Sequence, residues 1–81
     1  MRDLIPRSSS IMYTYAEITN KAFEDIQSYM RAASRATGAE ATTKREIAYG
    51  IYLGWRSLVE SYVDQPAYLA DDRKLESLLA G

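Results

Sequence analysis

Lys44–Asp64, KREIAYGIYLGWRSLVESYVD, is the stretch that decides the fold. Wound as a helix at about 100° per residue from Ile47, it gathers Ile47, Leu58, Ile51, Tyr62, Trp55, Ala48, Val59, Tyr52 and Val63 on an arc of about 160°. Beside that arc lie only Gly50, Gly54, Ser57 and Ser61, while Glu46, Arg56, Glu60 and Asp64 share a narrow remaining sector with Tyr49 and Leu53. A surface helix needs an apolar stripe only a little over ~100° wide, and this one is uncharged over roughly twice that width. The pattern predicts a helix with neighbours on two sides.

Upstream, Thr14 and Glu17 have the S/T-x-x-E spacing of a capping box, and Tyr13 with Ile18 occupies the two positions of a hydrophobic staple. Tyr15, Ile18, Ala22, Ile26, Tyr29 and Ala33 then recur at spacings of three and four, the signature of a one-faced amphipathic helix. Thr37-Gly38 is the expected stop, because glycine enters the left-handed region without steric cost. Thr43 with Glu46 repeats the capping-box spacing and predicts where the second helix starts, leaving Ala39–Thr42 as a connection. Pro66 predicts its end, and Asp71 or Asp72 is the expected cap of a short third helix carrying Leu75, Leu78 and Leu79. No segment alternates as a half-buried strand does. The reading is an all-α single domain over residues 1–81: an N-terminal arm 1–13, helix 1 over 14–37, helix 2 over 43–64 and a C-terminal helical segment over 67–80. Helices 1 and 2 form a long antiparallel hairpin, and the short third helix makes it a three-helix bundle, expected to be dimeric.

A chain of 81 residues has room for one small core. With no cysteine and no histidine it has neither disulfides nor the usual zinc ligands, so no metal and no cofactor is expected. Tidy helix packing or self-association is left to stabilise it. The residue types for acid–base or nucleophilic catalysis are sparse, and adjacent carboxylates such as Glu24-Asp25 and Asp71-Asp72 diverge by ~100° on a helix instead of converging on a substrate. These read as solvated or capping carboxylates, with Asp72 and Glu76, one turn apart, a faint hint of a cation site; an enzyme is not expected. The N-terminus lacks the apolar core of a signal peptide, and no run approaches the ~18–20 apolar residues of a membrane span, so a soluble, cytoplasmic protein is expected.

Four sets of residues invite a functional reading. Gly50, Gly54, Ser57 and Ser61 form a small-residue stripe suited to close helix–helix contact, either inside the fold or between two copies in a homodimer. Seven tyrosines against one phenylalanine suggest recognition, with Tyr13, Tyr15, Tyr49 and Tyr68 as candidate anchors, although core packing with the hydroxyls at the rim is expected for at least four of the seven. The turn end of the hairpin carries Arg31, Arg35, Lys44 and Arg45 against Glu40 and Glu46, a basic patch on a chain whose net charge is only −1. Leu75, Leu78 and Leu79 match an L-x-x-L-L docking pattern, but three leucines on a short helix more often cover their own core. The leading expectation is a non-enzymatic protein-binding module, an adaptor or an inhibitor that occludes a partner protein; brevity alone suggests a phage or mobile-element source. The second expectation is a nucleic-acid-binding regulator with Lys44-Arg45 opening a recognition helix. The third is a structural subunit of a larger assembly.

Overall fold

The computed structural model describes residues 13–80; the arm expected over 1–13 lies outside them except for Tyr13. The regular structure among the described residues is all helical: α1 Tyr15–Ser34, α2 Gly38–Leu58, a 3-10 turn Glu60–Tyr62 and α3 Pro66–Ala80, with no strand among them. No helix among them is long and apolar enough to cross a membrane.

The first capping box forms as its spacing predicts. The Glu17 amide donates to Thr14 Oγ1 at 3.1 Å, and the Thr14 amide donates to Glu17 Oε1 at 2.9 Å. The second does not. α2 begins at Gly38, five residues before Thr43, and Thr43 lies inside the running helix. Ala39, Glu40 and Ala41 are strong helix formers, and Ala41 is buried, so the helix gains both propensity and contact by starting early. Gly38 does take the left-handed conformation expected of it, with φ 61°, but as the first residue of α2; α1 has already ended at Ser34 with Arg35 as its cap. Three residues, 35–37, make the whole turn.

The other boundary also differs from the expected 43–64. α2 stops at Leu58, and the chain then tightens: the Tyr62 amide donates to the Val59 carbonyl at 2.8 Å and the Gln65 amide to the Tyr62 carbonyl at 2.9 Å. Had the helix continued through residue 64, α3 would begin about 9 Å further along the axis. The early reversal instead lets Tyr68 stack on Trp55, with ring centroids 5.2 Å apart and planes 6° from parallel. Pro66 is the first residue of α3, where its missing N–H costs no hydrogen bond.

The three helices run up, down and up. The Trp55 indole N–H donates to Thr19 Oγ1 at 2.9 Å, far from the turn, while Lys44 lies over the Tyr29 ring near it, so α1 and α2 are antiparallel. That register sets Thr19, Ile26 and Ala33 level with Trp55, Ala48 and Ala41: six buried positions, spaced by seven along each helix. Side-chain size along this seam falls from Trp55 at the open end to Ala33 and Ala41 at the turn. The taper widens the open end of the hairpin, and α3 fills it with Tyr68 and Leu75. Deleting the side chain at the wide end, as in Trp55→Ala, removes the largest fully buried side chain and by analogy costs about 3–5 kcal/mol.

Candidate functional site

Only one side of the hairpin is covered by α3, and the uncovered side carries the features with functional potential. The wide apolar arc on α2 is therefore only part core. Ala48, Tyr52, Trp55 and Val59 are buried, but Ile47, Tyr62 and Val63 are exposed and Leu58 is 70% exposed.

The small-residue stripe faces outward. Gly50, Gly54, Ser57 and Ser61 are all exposed, and a Cβ added at Gly50 or Gly54 would meet nothing within 4 Å. The seam inside the hairpin runs instead through Ala48, Ala41 and Ala33 toward the turn, and among the described residues nothing packs against the two glycines. Two exposed apolar side chains flank them on one side, Tyr49 at 53% and Leu53 at 43%, with Ile47 and Leu58 on the other. An outward helix face that combines open backbone with large apolar neighbours is suited to burying another element.

Between the exposed edges of α1 and α2 runs an open groove of about 750 Å³. Ile18 and Ala22 line it from α1, Ile51, Gly54 and Leu58 from α2, and Tyr13 stands at its end. The missing side chain at Gly54 keeps it open. Tyr13 and Ile18 thus share one groove, as a staple pair should, although Tyr13 remains 68% exposed. The rim is acidic on balance, with Glu17, Glu24 and Asp25 against Lys21, which pairs with Asp25 at 3.2 Å.

The four candidate tyrosine anchors separate into two groups. Tyr13 and Tyr49 are exposed, whereas Tyr68, on α3, is 4% exposed against Trp55, and Tyr15 is half-buried against the core. Tyr68 is apolar filling with its hydroxyl at the edge, where the Arg56 Nε donates to it at 3.4 Å. Tyr15 and Tyr52 show why the chain prefers tyrosine to phenylalanine. The Tyr15 hydroxyl donates to Asp71 Oδ2 at 2.7 Å and the Tyr52 hydroxyl donates to Asp72 Oδ1 at 2.6 Å. The two adjacent carboxylates do diverge, and the divergence has a use: one reaches α1 and the other α2, fixing α3 across both. This corrects the expectation that Asp71 and Asp72 are solvated or capping groups, since α3 has begun five residues earlier. Burial first, and the bond to Asp71 second, pushes the Tyr15 phenol up to about 12; burial and the bond to Asp72 likewise raise Tyr52. Asp72 is also 3.9 Å from Arg56; among the described residues no group of three or more Asp or Glu side chains is arranged to hold a metal.

Of the four basic residues at the turn end, Arg35 is the C-cap of α1. Lys44 lies over the Tyr29 ring at 5.9 Å from its centroid, Arg45 projects about 100° away around α2, and Arg31 edges a shallow pocket beside Ser77 and Leu78 of α3. Because α2 starts at Gly38, Lys44 and Arg45 sit about two turns into it and not at its tip. The antiparallel hairpin also differs from the ~90–120° crossing of a helix-turn-helix motif. Leu75 is buried, and Leu78 and Leu79 pack against the core, so the L-x-x-L-L residues are taken up internally. The groove and the paired tyrosine–aspartate bonds escaped sequence reasoning; the excess of tyrosine was the signal for the second. No protein-family model matches this chain, no curated protein matches it, and no solved structure matches it.

Proposed function

We propose that the protein is a non-enzymatic protein-binding module, a small adaptor or inhibitor, which pairs with a second copy through the outer face of α2 and presents exposed aromatic side chains to a partner. The observation that carries this reading is the open stripe. Two glycines in the interior of a helix cost about 1 kcal/mol each relative to alanine. Nothing among the described residues packs against Gly50 or Gly54 to offset that cost. A backbone from another molecule, lying close along Gly50, Gly54 and Ser57, supplies the missing contact. Tyr49 and Leu53 then border the buried strip on one side and Ile47 on the other, in keeping with an apolar centre and a mixed rim. Tyr13, at the far end of the groove, remains available to a partner as a large side chain with few rotatable bonds.

Sedimentation of the full chain at tens of micromolar tests the pairing: a dimer that Leu53→Asp converts to monomer supports it, and a monomer throughout refutes it. Capture of a partner from the native host by the wild type, weakened by Tyr49→Ala and Tyr13→Ala, supports the recognition role. Capture unaffected by both changes refutes their assignment as anchors.

A further inference from the structure

We infer, within the protein-binding role proposed above, that the groove between α1 and α2 holds a basic, amphipathic helix of a partner protein. No residue of α3 lines this groove, so it is a place for a fourth helix on the hairpin. Its floor is apolar: Ile18 and Ala22 come from α1, Ile51 and Leu58 from α2, and Gly54 leaves room between them. Such a floor suits a helix and not a strand. A helix satisfies its own backbone N–H and C=O groups, whereas an extended segment would bring unpaired ones onto side chains that cannot bond them. From Ile51 to Leu58 the floor covers two turns, about 10 Å, which calls for apolar side chains on the occupant at i, i+3 or i+4, and i+7.

Charge selects the flank of that helix. The charged side chains on the rim, Glu17, Lys21, Glu24 and Asp25, all come from α1, and α2 contributes none. Lys21 and Asp25 neutralise each other at 3.2 Å, which leaves Glu17 and Glu24 as the excess. Glu17 Oε1 accepts the Thr14 amide, and this bond fixes its carboxylate in place on the rim; Glu24 is exposed. The two are seven positions apart, so a helix lying along the groove meets both when its own Lys or Arg side chains recur every seven residues on one flank. The present chain has no pair of Lys or Arg residues seven apart, so no helix of a second copy offers that match. The occupant is therefore a different protein.

Backbone-amide NMR of the full chain, titrated with two synthetic peptides of about 14 residues, roughly four helical turns, tests this. Both peptides carry leucines at the i, i+3 and i+7 spacing; one has arginine and the other glutamate at flank positions seven apart. The arginine peptide should shift the amides of Ile18, Ala22, Ile51 and Gly54 and leave those of Lys74 and Leu75 in place, and the glutamate peptide should bind about tenfold more weakly. Glu24→Lys should weaken the arginine peptide about tenfold, and Leu58→Ser, at a side chain already exposed, should weaken both peptides by a similar factor. Leu53→Ser, on the outer face of α2, should change neither affinity. Pairing through that face is read separately by sedimentation, so either can fail while the other stands. Absence of binding overturns the inference, as does equal binding of the two peptides, or shifts that fall outside the groove. Conversion of a dimer to monomer as the arginine peptide saturates overturns it too, because a second copy then holds the groove.

Discussion

Replacing Gly50 and Gly54 with alanine should stabilise the isolated chain and weaken its self-association, opposite signs from one change. Both glycines lie within α2, neither has a positive φ, and an added Cβ at either meets no atom within 4 Å. The helix-propensity difference is then realised without a clash and is worth about 1 kcal/mol per site, so the double variant gains roughly 2 kcal/mol. For a domain of this size each kcal/mol moves the melting temperature by about 4–8 °C, so the monomer should melt roughly 8–16 °C higher. In a dimer built on the stripe the same methyl groups enter a close contact, and overpacking costs about 1–3 kcal/mol per site. Thermal melts at low and high protein concentration separate the two effects, because only association makes the midpoint depend on concentration. The variant should melt higher than wild type when dilute, and its midpoint should lose the concentration dependence of the wild type. A variant destabilised at every concentration would refute the reasoning, since the glycines would then be packed inside the fold.

Other changes probe the core and the turn. Gly38→Ala places a Cβ at φ 61° and should cost about 1–2 kcal/mol, read as a lower urea midpoint. Thr19→Val keeps the volume but strands the buried indole N–H of Trp55, costing about 1–3 kcal/mol; the only tryptophan makes fluorescence the natural probe. Stability should also fall at alkaline pH. The Tyr15 phenol is raised from 10.0 to about 12 on folding, so its contribution is intact below about 10 and is lost as pH rises through about 12. Tyr15→Phe should shrink that alkaline loss, measured as the difference in urea midpoint between about pH 9 and about pH 11, while lowering stability near neutrality through the lost bond to Asp71.

Much of the architecture was legible because it rests on local pattern. The three-and-four spacing from Tyr15 to Ala33 and the Thr14–Glu17 box are sequence-local causes, and they placed α1 within a few residues; Pro66, read as the end of the second helix, instead opens α3, five residues before the expected cap at Asp71. The boundaries of α2 failed for tertiary reasons. Thr43 and Glu46 have a capping spacing, but burial of Ala41 pulls the helix start upstream; residues 59–64 have helical periodicity, but Tyr68 must reach Trp55, and that requires an early reversal. The small-residue stripe was visible as a pattern, whereas its direction was not, because periodicity fixes which residues share a face and leaves open what that face meets. Asp71 and Asp72 show the same limit: divergence on the helix was predictable, and the two tyrosines that receive them lie on different helices distant in sequence.

Those two bonds have a further consequence for motion. α3 is tied to α1 by Tyr15–Asp71 and to α2 by Tyr52–Asp72, through neighbouring residues of one rigid helical turn. It therefore acts as a crossbar between the arms of the hairpin. Any scissoring that parts α1 from α2 at their wide end must break at least one tie, and any release of α3 must break both. Opening of the hairpin is therefore coupled to α3, which must let go of at least one arm whenever the two arms part.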